Sequence, residues 1–442
     1  KYEGCEMLEM SCEMHDKKAA ESQFITHLTG RILEQLDLNQ NEISTLGYNL
    51  LIKVKENTCK DSFDLFQGLF KFNPETHKQL EQFRISLNQI ENLLHESKYN
   101  RNLDLIKASA MEIFDAQIRT MKNIVKFTIG NTDYPVHEKI KNAAIYAIQN
   151  DKNNYTAVQG CLELRTEISK YLSKKKGIDY SAEHIVCTSG AKHAIYETLY
   201  LLCNPEDPVV IFRPYWTSYP DMISLVKGRV IILNEIYELE NIKAKVIILC
   251  NPCNPSGYIY NQSELKLLAK YAKQMNAYVI SDEIYERLDY EQKHESMAKF
   301  YENTFTINGF SKIYSMMGYR LGFVVAPTVK FAQELTKIQS QISSCPCTIS
   351  QYAGIAALKL SDDIINDYIQ ELKSKRDYIC NIFKVKPPDG AIYAFIPNVN
   401  SQKLLKENNI AVMPGSAFGK PDYVRICFAN SWENLKLFEN LR

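Results

Sequence analysis

The run Asn308-Gly309-Phe310-Ser311-Lys312-Ile313-Tyr314-Ser315-Met316-Met317-Gly318-Tyr319-Arg320 carries the sharpest chemical signal in the chain. A lysine at the end of a strand can condense with an aldehyde cofactor. Arg320 lies eight residues on, past Gly318. An arginine there can grip a phosphate with two parallel hydrogen bonds, which a lysine cannot do. Thirty residues before Lys312 stands Val279-Ile280-Ser281-Asp282-Glu283-Ile284-Tyr285. A carboxylate at the C-terminal end of a buried strand points into the crevice where α/β sheets take ligands. From there Asp282 can keep a pyridine nitrogen protonated, and Tyr285 can donate to a ring oxygen. Asn251-Pro252-Cys253-Asn254-Pro255-Ser256-Gly257, again after an apolar strand, forms a rigid loop. Thr188-Ser189-Gly190-Ala191-Lys192 follows a strand and opens a helix, so its amides can form a phosphate cup. Trp216, in Phe212–Pro220, can stack on a planar ring. Arg425 sits inside the short apolar strand Tyr423-Val424-Arg425-Ile426-Cys427, where arginine is rare without an anion. Singly, each of these residues has a plainer reading as a surface charge, a helix cap, a turn or a core aromatic. Their joint order is what carries the chemistry.

These residues need elements to position them. From about residue 124 short apolar strands alternate with helices: Ile124–Ile129, Ile185–Thr188, Val209–Phe212, Val230–Leu233, Val246–Cys250, Tyr278–Ser281, Thr304–Ile307 and Gly322–Ala326. Helices such as Ala191–Leu202 and Gln262–Gln274 lie between them. Near-continuously apolar strands alternating with helices predict an α/β fold with a mostly parallel sheet covered on both faces. Long helices follow at Val329–Ile342, Ile349–Leu360 and Asp363–Phe383, then short strands around Tyr393 and Arg425, predicting a second, smaller α/β layer. Residues 1–97 read instead as all-helical, with periodic apolar positions at Ile32, Leu33, Leu36 and Leu38, at Phe63–Phe70 and at Leu80–Leu94. Residues 98–104 form the linker.

The 442 residues hold 52 Lys plus Arg and 52 Asp plus Glu, a net charge of zero. That balance leaves no footprint for nucleic acid, and no apolar run is long enough to span a membrane. The twelve cysteines are scattered, and neither Cys250/Cys253 nor Cys345/Cys347 has the second Cys/His pair that zinc needs. They read as small reduced core residues of a cytoplasmic protein, and no metal is expected.

The joint set of motifs over residues 105–442 resembles the class I aminotransferases of pyridoxal-phosphate fold type I, nearest their aspartate/prephenate branch. The resemblance implies a large domain over about 136–324 and a small one over about 105–135 and 325–442. It implies pyridoxal 5′-phosphate as cofactor, Lys312 as its Schiff-base lysine, Asp282 against the pyridine nitrogen, and Tyr285 and Asn254 at the ring oxygen. Trp216 would stack on the ring, and Ala191, Lys192 and Arg320 would hold the phosphate. Arg425 and the backbone at Gly130 would take the substrate α-carboxylate, with Asn254 beside them. Tyr155, in Asn154-Tyr155-Thr156-Ala157-Val158, would reach the phosphate of a neighbouring subunit, implying a homodimer. Lys192 at the cup mouth is the candidate for a second substrate carboxylate. Two departures stand out: Gly130-Asn131-Thr132-Asp133-Tyr134-Pro135 replaces the usual Gly-Glu-Pro-Asp-Phe, and Lys107–Met111 lacks the threonine of the prephenate-using members.

The string Glu9–Lys17, Ser22–His27 and Asp61–Phe70 resembles the C-terminal helical domain of plant-type arogenate or prephenate dehydrogenases. That implies a dimerising all-α domain whose His27 contacts substrate. Chemistry alone gives His27 only a solvated or capping role. No Gly-x-Gly-x-x-Gly occurs, so NAD(P) is expected only if a dinucleotide domain precedes Lys1. The combined expectation is a transaminase of glutamate or aspartate and a 2-oxo acid of tyrosine synthesis, with prephenate converted to arogenate. The alternatives are a general aspartate or aromatic aminotransferase, and a non-catalytic dimerising scaffold. A cytoplasmic location is expected, with a plastid as the alternative.

Overall fold

The computed structural model describes residues 10–36, 45–94, 101–119 and 121–441. The chain divides into two units, residues 1–100 and 101–442.

The described part of the first unit is helical: Cys12–Ala19, the π turn Ala20–Phe24, Ile25–Gln35, Leu46–Thr58, Phe63–Phe72 and Glu75–Leu94. Ser11, Thr45 and Ser62 start three of these helices, each accepting from the amide three residues on. Such caps satisfy one of the orphaned donors of a first turn. Phe24 is buried and stacks on Phe66 at 5.7 Å and Phe70 at 5.8 Å. Leu38 and residues 98–100 of the expected linker lie outside the described residues, and Arg101–Leu105, which holds the rest of it, is a 3-10 turn.

The second unit is built on a seven-stranded sheet and two small ones. In chain order the strands are β1 (Val125–Lys126), β2 (Ile185–Thr188), β3 (Pro208–Phe212), β4 (Arg229–Leu233), β5 (Val246–Cys250), β6 (Tyr278–Asp282), β7 (Thr304–Gly309), β8 (Gly322–Val325), β9 (Tyr393–Pro397), β10 (Ile410–Ala411), β11 (Met413–Pro414) and β12 (Tyr423–Cys427). The large sheet runs β2-β8-β7-β6-β5-β3-β4, and only β8 is antiparallel to its neighbours. Successive residues of each strand enter different apolar layers, as pleating requires. Val209 and Ile211 of β3, Ile248 of β5 and Ile280 of β6 face one layer. Val210, Phe212, Ile247 and Val279 face the other, with Leu265 and Leu268 of the helix Gln262–Met275. Both faces are covered, which is why the strands read as unbroken apolar runs.

Two expectations are corrected. The segment Ile124–Ile129 is a strand only at β1, which pairs with β10 and not with the large sheet. The helix Val329–Ile342 belongs with the large sheet, because its apolar face (Ala332, Leu335) packs with Val186, Ile195 and Phe305. The small layer is the antiparallel sheet β11-β12-β9, in which Arg425 pairs with Phe395 and Cys427 with Tyr393. Among the described residues no helix is long and apolar enough to cross a membrane.

Ile280 is fully buried in the centre of the large sheet. Ile280→Ala is expected to cost about 2–5 kcal/mol. It should appear in urea unfolding of the larger unit as a lower midpoint at unchanged slope.

Candidate active site

The parallel strands all leave the sheet at one edge, and the residues that follow them converge there. β2 leads to Ser189-Gly190-Ala191-Lys192, β3 to Trp216, β5 to Asn254, β6 to Asp282 and Tyr285, and β7 to Lys312. β8 runs the other way, so it enters the sheet at that same edge, with Gly322 paired to both Thr188 and Gly309. Arg320, two residues before Gly322, is thereby set beside the end of β2. A Cβ built on Gly190 would lie 2.5 Å from Arg320 Nη2. Gly190 also has φ +89°, so this position tolerates only glycine.

A cavity of about 270 Å³ opens at this edge. Gly130, Ala191, Lys192, Trp216, Asn254 and Asp282 line it, and so do Tyr285, Lys312, Arg320 and Arg425. Ten of the twelve residues singled out from sequence thus share one wall. Tyr155 does not: it is 87% exposed and does not line the cavity of its own chain. His27 belongs to the helical unit. It is neither solvated nor a cap, since its side chain is 17% exposed, Nε2 is 3.5 Å from Asp61 Oδ2 and Nδ1 is buried without a partner.

Lys312 Nζ donates to the carbonyl of Gly130 at 2.6 Å. Burial brings its amine down to about 8, with the charges of Arg425 and Arg320 adding and Cys427 and Asp282 opposing. Asp282 is buried, and burial raises its carboxyl to about 6, against the opposing hydrogen bond from Tyr219. Its Oδ2 accepts from Tyr219 Oη at 2.6 Å and its Oδ1 from the Ile284 amide at 3.4 Å, and the nearby Lys312 charge also opposes the rise. The helix Ala191–Leu202 has no side-chain cap, and its start at Gly190 lies beside the Arg320 guanidinium. Lys192 Nζ lies 4.9 Å above the ring of Trp216, and burial followed by Arg320 lowers its amine.

Arg425 is 1% exposed. Nη1 donates to Asn254 Oδ1 at 3.0 Å and Nη2 to the Thr128 carbonyl, while Nε has no partner. Its guanidinium lies over Tyr393 at 4.2 Å and Phe418 at 4.8 Å. Among the described residues no carboxylate pairs with it, so a buried positive charge stands without its anion.

Two contacts were missed from sequence. Tyr219 anchors Asp282, and Tyr393 meets Tyr285 hydroxyl to hydroxyl at 2.9 Å. Tyr219 lay in the aromatic stretch already noted, three residues after Trp216. Tyr393 had no local signal beyond its strand.

The family described as aminotransferase class I and II matches residues 122–437. A domain described as TYRAAT1-like, C-terminal, matches residues 32–104. An aspartate aminotransferase of Thermotoga maritima is 33% identical over 345 residues, 72% of this chain and 90% of its own. A Petunia hybrida protein named bifunctional aspartate aminotransferase and glutamate/aspartate-prephenate aminotransferase is 33% identical over 357 residues, 71% of this chain and 74% of its own. The solved aspartate aminotransferase of Thermus thermophilus with maleate superposes with a TM-score of 0.74 at 28% identity, covering 78% of this chain and 99% of that one.

An amine attacks carbonyl carbon only when neutral. Incubating the cofactor-free protein with an aldehyde and borohydride should therefore label Lys312 with a yield that rises through about pH 8, where its amine loses its proton. Peptide mapping across pH measures it, and a midpoint near the ordinary 10.5 of lysine would contradict the burial argument.

Proposed function

The chain belongs to the class I and II aminotransferases, and on that premise we propose that it moves an amino group between glutamate or aspartate and a 2-oxo acid of tyrosine synthesis, with prephenate as acceptor and arogenate as product. Aminotransferases of this class work with pyridoxal 5′-phosphate, and the cavity fits it. An uncapped helix start beside Arg320 suits a phosphate, and a buried Asp282 suits a protonated ring nitrogen. A lysine amine brought down to about 8, and so more readily deprotonated than an ordinary lysine, suits an aldehyde. When bound, pyridoxal phosphate supplies an electron sink for the pair released as the substrate Cα–H bond breaks.

The residues divide the remaining work. Ala191 and Arg320 would hold the phosphate, with Lys192 at the mouth of that cup, and Trp216 would lie against the ring. Asp282, steadied by Tyr219, keeps the proton on the ring nitrogen. Tyr285 and Asn254 would face the ring oxygen. Lys312 Nζ would hold the aldehyde carbon, and its amine is the group in this wall suited to move the proton at the substrate Cα. Arg425 grips the α-carboxylate with its fork, beside the backbone at Gly130. The observation that carries this reading is the buried, anion-less guanidinium of Arg425 in the same cavity as Lys312 and Asp282. It also speaks against the non-catalytic scaffold, which would have no use for that charge.

Lys192, beside Trp216 in the cavity wall, is the candidate for the distal carboxylate of a dicarboxylic acid. Prephenate, glutamate and aspartate all carry one. Lys107-Ala108-Ser109-Ala110-Met111, without a threonine, favours the second reading of a general aspartate or aromatic aminotransferase. The exposed Tyr155 supports a homodimer in which it reaches the partner's phosphate site. Residues 1–97 are read as the helical part of an arogenate or prephenate dehydrogenase-like protein, with His27 in its substrate contacts; the match over residues 32–104 supports this. One enzyme would then make the other's substrate.

The test is a panel of donors and acceptors on the cofactor-loaded protein. Glutamate or aspartate should donate and prephenate accept, and Lys312→Ala should abolish turnover. Lys192→Met should raise KM for dicarboxylates by roughly 10- to 100-fold, the worth of a charge-assisted hydrogen bond, and spare phenylpyruvate. No turnover of prephenate would leave the general aminotransferase, and equal losses would take Lys192 out of the substrate pocket.

A further inference from the structure

Tyr393 is a cavity-lining side chain that touches both halves of the proposed chemistry. It stands on β9 of the small sheet and is 2% exposed. Its ring face lies against the Arg425 guanidinium at 4.2 Å. Its hydroxyl is 2.9 Å from that of Tyr285, which stands three residues beyond the end of β6 in the large sheet. The two rings meet edge to face at 5.8 Å. A Cβ on Gly130 would lie 1.9 Å from the Tyr393 hydroxyl and 3.4 Å from Lys312 Nζ. The absence of a side chain at residue 130 is what lets Tyr393 reach in.

A tyrosine hydroxyl carries one proton. If Tyr285 gave its proton to Tyr393, it would have none for a ring oxygen. We propose that Tyr393 is a positioning residue with two separable parts: its hydroxyl donates to Tyr285 Oη, committing the Tyr285 proton to the cofactor ring oxygen, and its ring holds the Arg425 fork flat for the α-carboxylate. The proposal rests on the aminotransferase reading above. A donor that itself receives a hydrogen bond is polarised and donates more strongly. A cation over an aromatic face is held there by the ring quadrupole. The ionisable groups around Tyr285 are Tyr393, Arg425, Cys250 and Lys312, whose Nζ is 5.7 Å from its ring. Burial pushes the Tyr393 hydroxyl up to about 12 and that of Tyr285 well above its usual value, so both stay protonated as the argument needs.

The experiment uses the cofactor-loaded protein and two variants, reading the pH titration of the cofactor's absorbance band and the kinetic constants. A donor at the ring oxygen favours the state with one proton fewer, so weakening it moves the midpoint to higher pH. Tyr393→Phe keeps the ring and removes the hydroxyl. Its midpoint should rise by about 0.4–1 pH unit, the equivalent of one neutral hydrogen bond, and by less than in Tyr285→Phe. Its kcat should fall while KM stays within about twofold, since the ring under Arg425 remains. Tyr393→Leu should raise the midpoint equally and raise KM as well. An unmoved midpoint in Tyr393→Phe, with Tyr285→Phe shifted, overturns the hydroxyl role. Equal KM in the Phe and Leu variants overturns the ring role. A wild-type protein without a titrating band, or a band that survives Lys312→Ala, would instead be a failure of the aminotransferase reading.

Discussion

A guanidinium sits in the interior of this protein with no carboxylate among the described residues to balance it. Burying such a charge is costly unless it is paired and hydrogen-bonded. Around Arg425 the chain supplies partial relief: a side-chain amide from Asn254, the carbonyl of Thr128, and the faces of Tyr393 and Phe418. It leaves Nε unsatisfied. The surrounding wall repeats the imbalance, with Lys192, Lys312, Arg320 and Arg425 against Asp282 alone. A cavity so charged selects anions, and it needs two kinds: one at the helix start beside Arg320 and one at Arg425. In the proposed function, the phosphate of the cofactor and the carboxylate of the substrate would answer these two demands. The same burial, with the charges of Arg425 and Arg320, brings the Lys312 amine down to about 8.

This charge arrangement depends on topology. Residues far apart in the chain meet because parallel strands deliver their C-terminal ends to one edge. The single antiparallel strand β8 adds Arg320 from the opposite direction. The small sheet then brings Arg425 and Tyr393 to the open side, with Arg425 bonded to Asn254 of the β5 loop. The site is therefore closed by a contact between two sheets and not by any one segment.

Much of this was legible in the chain. β2 and β5, and the helices Ala191–Leu202 and Val329–Ile342, begin and end where apolar pattern and turn chemistry place them, because buried strands and amphipathic helices leave local signatures. Lys312, Asp282, Asn254 and Arg320 stand in motifs beside strand ends, so their types and spacing could be read together. What escaped reading depends on contacts between distant residues. Tyr219 meets Asp282 across 63 positions and Tyr393 meets Tyr285 across 108, and nothing local marks either pair. The strand expected at Ile124–Ile129 shrinks to two residues because its only partner is the two-residue β10. The helix Val329–Ile342 joined the large layer because Ala332 and Leu335 find apolar neighbours there, which its own periodicity cannot reveal.

The account stands on Arg425 as the unpaired charge that a substrate carboxylate completes. The most direct measurement is calorimetric titration of the cofactor-loaded protein with succinate, a dicarboxylate that cannot be transaminated, in wild type and Arg425→Lys. Equal cofactor content and equal melting temperature serve as the control. The account predicts binding to wild type and a loss of roughly 10- to 100-fold in the variant, because lysine keeps the charge and loses the fork. Equal affinity in the two proteins would contradict it.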